Sequence, residues 1–173
     1  MTKVLYPGSF DPITKGHMNI IEQASCLFDE VVIAVLQNPE KKNGFFTLEE
    51  RLEMIKELYK KMDNIKVVTG NGASVDIAIL YECKAIIRGL RSLSDYDYEV
   101  QLQQINKDIS NNQVNTVCLF ADKEYQFISS SVIKEVLKLD KDVSRYVDPY
   151  VGKRLCLKKG DNYGSNCTKQ HYL

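Results

Sequence analysis

The sequence predicts an α/β fold: a single domain in which a five-stranded parallel sheet is flanked by helices on both faces. Three observations point there. Short apolar runs alternate with helix-period stretches along most of the chain, the pattern of consecutive strand–helix units. The strand candidates are nearly continuous in apolar residues rather than alternating, as in VVIAVL at 31–36, and such runs suit parallel strands buried on both faces. Polar segments follow the strand candidates, and a parallel sheet gathers its ligand loops at the carboxyl ends of its strands. At 173 residues the chain suits one domain that buries roughly 70% of its unfolded surface.

The elements follow in order. Residues 3–6 form the first strand, stopped by Pro7 and Gly8. A helix from near Gly16 towards Leu27 carries Ile20, Ile21, Ala24 and Leu27 on one stripe. The second strand covers 31–36, and 39–45 is a polar loop. Thr47 and Glu50 have the spacing of a capping box and open a helix with Leu52, Ile55 and Leu58 on one side. Residues 65–68 make the third strand, and Gly70-Asn71-Gly72 breaks the chain before a helix over 75–81. The fourth strand covers 85–87, followed by a polar loop over 88–94 and a longer helix over 95–109. The fifth strand covers 117–120, and a further helix 131–139. The composition changes near residue 150. Beyond it Lys153, Arg154, Lys158, Lys159 and Lys169 face only Asp161. The domain reading is therefore 1–150 for the body and 151–173 for a C-terminal helical or flexible basic, polar tail.

Composition excludes several classes. Lysine plus arginine total 23 and aspartate plus glutamate total 23, a formal net charge of +0. A chain built to coat nucleic acid is more basic, so no nucleic-acid partner is expected, although a local cluster can still serve a small anion. No stretch approaches 18 apolar residues, and the start lacks the long apolar region of a secretion signal. A cytoplasmic protein with no membrane partner is expected. The five cysteines, Cys26, Cys83, Cys118, Cys156 and Cys167, are odd in number, widely spaced and without a CxxC. They read as thiols in a reducing compartment rather than a disulfide framework or zinc site.

The segment YPGSFDPITKGH at 6–17 joins the first strand to the first helix. Gly8 permits a tight turn and close backbone approach, and Ser9 offers a hydroxyl and an amide beside it. Gly16 can bring a phosphate near the free amides of the helix start. Thr14 and His17 are three positions apart and share a side if the turn is helical, so His17 can donate to a phosphoryl oxygen. Arg88 and Arg91 bracket Gly89, and arginine makes paired, charge-assisted contacts to phosphate oxygens. Ser129, Ser130 and Ser131 precede a helix containing Lys134, an anion-friendly terminus. Lys41 lies in NPEKK at 38–42, which by itself reads as a solvated basic turn. The only other histidine, His171, lies in the tail, so no metal residue is assigned.

GSFDPITKGH resembles the first signature of the HxGH nucleotidyltransferase superfamily, with Thr14 in place of the first histidine. Together with YPGSFDP, that variant is similar to the bacterial phosphopantetheine adenylyltransferases. FTLEERLEMI at 46–55, IIRGLRSLSDYDYE at 86–99 and FISSSVIKE at 127–135 match the same family in order. The resemblance covers about residues 3–150. It implies a Rossmann-like domain that transfers the adenylyl group of ATP to 4′-phosphopantetheine. Direct in-line attack would give dephospho-CoA and pyrophosphate in coenzyme A biosynthesis. A related nucleotidyltransferase acting on nicotinamide mononucleotide or another small phosphorylated acceptor is the alternative. ISSSVIK, rather than ISSTxxR, favours the pantetheine branch.

The resemblance also implies roles. Ser9, His17, Lys41 and Arg91 would be catalytic, His17 by stabilising charge on the α-phosphoryl group and Lys41 by bridging the phosphates of both substrates. ATP would meet Ser9, Phe10, His17, Gly89, Arg91, Glu99, Tyr125, Ser129 and Ser130, with Glu99 near the ribose or Arg91. The acceptor would meet Ser9, Lys41, Ala73, Ser74, Arg88, Leu102, Ile105 and Asn106. Tyr125 stands where tryptophan is usual and Ile105 where methionine is common. Larger apolar residues often stand at the positions of Ala73 and Ser74. Mg2+ would bridge substrate phosphates. A homohexamer built as a dimer of trimers, with CoA as a possible feedback ligand, is implied in the same way.

Overall fold

The computed structural model describes residues 1–37, 44–90 and 93–163. Strands and helices alternate as β1 (Lys3–Gly8), α1 (Lys15–Leu27), β2 (Glu30–Leu36), α2 (Leu48–Tyr59), β3 (Ile65–Gly70) and α3 (Ser74–Leu80). They continue as β4 (Ala85–Leu90), α4 (Leu93–Ile109), β5 (Asn115–Phe120), α5 (Ser130–Lys138) and α6 (Pro149–Tyr163). The sheet has five strands in the order β3-β2-β1-β4-β5, and every ladder is parallel.

Strand side chains alternate between faces, and the two faces feed separate cores. Val4, Tyr6, Val31, Ile33 and Ile87 join the larger cluster, with Ile21 of α1, Ile55 of α2, Ile133 of α5 and Leu155 of α6. Leu5, Val32, Ala34 and Ile86 join the smaller one, with Val75 and Ala78 of α3. Central β2 is therefore buried along Val31–Val35 and reads as an unbroken apolar run. Edge strand β3 exposes Lys66 and Thr69, as an edge must.

Two expected boundaries move. β1 continues through Pro7 and Gly8, which pair with Ala34 and Val35. The β1–β4 ladder ends earlier, at Leu5↔Ile86, so Pro7 forfeits no bond to β4. Residues 88–90 are not loop but strand, because Arg88, Gly89 and Leu90 pair with Cys118, Leu119 and Phe120 of β5. Their polar and glycine content suggested a loop, yet the ladder holds them extended and Leu90 is buried. β1 and β4 consequently part at their carboxyl ends. This is also where the strand order reverses direction, the usual place for a ligand crevice.

Helix α6 is tied to the body. Val151 and Leu155 of α6 are fully buried, and Lys159 pairs with Asp140 beyond α5. Lys158 donates to both carboxylate oxygens of Glu50 at 2.8 and 3.0 Å. Cys26, Cys83 and Cys118 are free thiols, but Cys156 on α6 is disulfide-bonded. The expectation of thiols throughout is corrected there, since spacing rules look for frameworks and carry no signal for a single bond. Among the described residues no helix is long and apolar enough to cross a membrane.

The predicted capping box forms at the start of α2. Thr47 N–H donates to Glu50 Oε2 at 2.7 Å, and Glu50 N–H to Thr47 Oγ1 at 3.2 Å. Burial pushes the Glu50 carboxyl upward, but Lys158 and the Thr47 amide outweigh it and hold the group below its ordinary 4.5. The unfolded chain therefore takes up protons first as pH falls. The stabilisation is complete above the ordinary value and is lost as pH drops through the lowered one. Glu50→Gln is expected to lower the melting temperature by about 2 °C at neutral pH. The difference from wild type should vanish in acid, as checked by thermal unfolding across a pH series.

Candidate active site

The loop between β1 and α1 lies at the mouth of the crevice. Phe10 turns back into the protein with φ of 47°, a left-handed conformation that few non-glycine residues adopt. Its ring is buried, 5.5 Å from Tyr6 and 5.2 Å from His17, edge-on to each. Phe10 thus props His17 from behind. Gly8 leaves room for this, since a Cβ there would meet Phe10 Cζ at 2.8 Å.

Two buried charges hold the loop from below. Asp11 Oδ1 accepts from Phe46 N–H at 2.8 Å, and Oδ2 accepts from Phe45 N–H at 2.9 Å. Arg51 of α2 donates to the carbonyls of Ser9 and Leu36, the latter at 2.9 Å. Burial lowers the pKa of its guanidinium, opposed by the nearby Asp11 charge. Neither residue stood out in the sequence. Asp11 is one letter of GSFDP and Arg51 one arginine of a helix, and only burial distinguishes them.

Thr14 caps α1. His17 N–H donates to Thr14 Oγ1 at 3.4 Å, and His17 Nδ1 accepts from Thr14 N–H at 3.1 Å. The two side chains meet as the spacing predicts, with Oγ1 and Nδ1 3.0 Å apart. An Nδ1 that accepts leaves the proton of the neutral ring on Nε2. Nε2–H is then the ring's donor, and His17 lines a cavity of about 190 Å³.

Arg88, Gly89 and Glu99 line the same cavity, with Phe10 in its wall. Arg88 Nε donates to Glu99 Oε2 at 2.6 Å. Glu99 therefore engages Arg88, while the Arg91 position that the resemblance pairs with it lies outside the described residues. The reason is geometric: Arg88 is on β4 and Glu99 on the helix α4 that packs against it.

The start of α5 closes one side. Ser129 Oγ accepts from Val132 N–H at 3.2 Å as the helix cap, and Ser130 Oγ donates to the Pro12 carbonyl at 2.8 Å. The segment before it lies against α1: a Cβ on Gly16 would sit 3.4 Å from Ile128 O and 3.5 Å from Tyr125 O. Buried Asn19 fastens the same region. Its Nδ2 donates to Asp122 Oδ2 at 2.6 Å, and its Oδ1 accepts from Asp122 N–H at 3.0 Å.

The structure thus brings Phe10, His17, Arg88, Gly89 and Glu99 into one cavity. Ser9, Tyr125, Ser129 and Ser130 belong to the segments around it without lining it. Ala73 and Ser74 sit at the start of α3, and Leu102, Ile105 and Asn106 on α4; none of these lines the cavity, and Ile105 is exposed. Lys41 and Arg91 lie outside the described residues. Among the described residues, no group of three His, Cys, Asp or Glu side chains could hold a metal ion.

A cavity at the switch point of a parallel sheet, edged by two helix starts and lined by an imidazole and a guanidinium, is built for nucleotide phosphates. It defines a transferase-like α/β site of the cytidylyltransferase-like class, whose family model matches residues 5–136. A phosphopantetheine adenylyltransferase from Finegoldia magna is 47% identical over 146 residues, covering 84% of this chain and 89% of that protein. One from Thermobifida fusca is 44% identical over 158 residues, covering 91% and 94%. The chain belongs to the phosphopantetheine adenylyltransferase family. More distant solved structures share the fold. A candidate nicotinate-nucleotide adenylyltransferase from Vibrio parahaemolyticus matches with a TM-score of 0.65 at 18% identity, over 92% of this chain and 94% of that one. A lipopolysaccharide core biosynthesis protein from Thermoplasma volcanium matches with a TM-score of 0.55 at 22% identity, over 70% and 98%.

Gly8→Ala tests the prop behind the histidine. The new methyl must displace the buried Phe10 ring, at a cost of about 1–3 kcal/mol. Urea unfolding should show that loss, and the displaced His17 should lower catalytic turnover with it.

Proposed function

We propose that this chain transfers the adenylyl group of ATP to the phosphate of 4′-phosphopantetheine, forming dephospho-CoA and releasing pyrophosphate. The observation that carries the reading is His17. Its Nδ1 accepts from the start of α1, and its ring lines the cavity shared with Arg88. An acceptor phosphate oxygen attacks the α-phosphorus of ATP in line, and no protein nucleophile is needed. The chain's work is positioning and charge stabilisation. His17 donates to a non-bridging oxygen of the transferring group as it gains charge. Arg88 receives the acceptor phosphate, its guanidinium plane oriented by Glu99 through Nε. In this reading Ser9, Ser129, Ser130 and Arg91 serve the ATP phosphates, and Lys41 the meeting point of the two substrates.

Mg2+ belongs to the reading as an ion carried on the substrate phosphates, where it would shield their charge. Asp11 and Glu99, carboxylates near the site, already accept from amides, a lysine and an arginine, and no protein ligand is assigned to it. A cytoplasmic homohexamer, a dimer of trimers with CoA as feedback ligand, completes the proposal. The exposed apolar side chains Val100, Ile105 and Ile109 along α4 support assembly.

Mass detection after mixing the protein with ATP, Mg2+ and 4′-phosphopantetheine tests the reaction. Dephospho-CoA and pyrophosphate are expected, and product only with nicotinamide mononucleotide would overturn the acceptor. His17→Ala gives up the Thr14 N–H bond to the ring but keeps the bond from its own backbone N–H to Thr14 Oγ1. The variant should fold and bind ATP by calorimetry, while turnover falls about 10²–10³-fold. Unchanged turnover would sink the proposed role.

A further inference from the structure

The β1–α1 loop and the first turns of α5 lie far apart in the sequence but are fastened at two adjacent points. Ser130 Oγ donates to the Pro12 carbonyl across 118 positions. Lys134 Nζ donates to Asp11 Oδ2 at 3.0 Å across 123 positions. Ser130 and Lys134 are one helical turn apart and share a face, while Asp11 and Pro12 are consecutive. One helix face therefore grips one dipeptide. The pair is sheltered, with Asp11 and Lys134 side chains 7% and 21% exposed. Asp11 also accepts from the Phe45 and Phe46 amides, so three donors from two other parts of the chain converge on one carboxylate.

Holding α5 onto the body does not require this pair. Ile133 and Leu137 already bury that helix in the larger core. Apolar contacts of this kind leave a helix free to settle by fractions of an ångström, whereas a hydrogen-bonded ion pair sets its register. Lys134 does not line the cavity with His17. The geometry points to Lys134 as a positioning residue that acts through Asp11. It fixes the α5 turn bearing Ser129 and Ser130 against the loop leading to His17, so that both reach the same phosphate chain in register. This inference rests on the adenylyl-transfer reading above. A misplacement of about 1 Å in such a site can cost about 100-fold in rate.

Steady-state kinetics on the full chain, well below each variant's melting temperature, test it. Dephospho-CoA formation by the wild type comes first, and its absence would overturn both the reading and this inference. With wild type active, Lys134→Met should lose about 10- to 100-fold in kcat, with KM for ATP changed less than about threefold. Lys134→Arg should recover most of that loss. The double variant Asp11→Asn, Lys134→Met should lose no more than the worse single variant, since one removes the partner of the other. Should Lys134→Met fail to fold, Lys134→Gln, an uncharged donor, should show an intermediate loss of kcat. Wild-type kcat in a variant that merely melts earlier would overturn the inference. So would additive losses in the double variant, or a defect confined to KM for ATP, which would make Lys134 a nucleotide ligand.

Discussion

A carboxylate taken out of water is tolerated only if other groups replace the water it gives up. Asp11 meets that condition with two backbone amides and a lysine, each from a different position along the chain. Because the replacements must come from outside its own loop, satisfying Asp11 assembles the site. The chain entering α2 must return to the β1–α1 loop, and α5 must lie across it. Arg51 adds the complementary condition from the other sign. A buried guanidinium needs acceptors, and it finds them in the carbonyls of Ser9, Leu36 and Thr47. The two residues brace the ends of β1 and β2 against α2. Losing either partner of such a contact leaves a buried charge uncompensated, which costs more than the contact itself contributes.

Much of the fold was legible because its determinants are local. The apolar runs marked β1, β2 and β5, the helical stripe of Ile20, Ile21 and Ala24 marked α1, and the Thr47–Glu50 pair marked the start of α2. The misplaced boundaries share one cause. Pro7, Gly8, Arg88 and Gly89 have loop-like side chains, but their backbones are held by ladders with residues about 30 positions away, and a local reading cannot see a ladder.

The site divides the same way. His17, Arg88 and Gly89 announced themselves by residue type and setting, and they meet in the cavity. The partnership of Arg88 with Glu99 depends on how α4 lies over β4, and the importance of Asp11, Asn19 and Arg51 depends on burial. None of that has a signature in one dimension. Zero net charge proved uninformative for a related reason. Among the described residues, topology brings Arg88 to the cavity at one end of the sheet, and Glu99 partly balances it there.

The double duty of His17 has a consequence for proton traffic. The ring nitrogen that faces the backbone accepts from Thr14 N–H, so the neutral ring that keeps this bond carries its proton on Nε2. The folded chain thereby selects one tautomer of the neutral ring. A helix cap, ordinarily a matter of stability, here decides which nitrogen of the ring carries the proton.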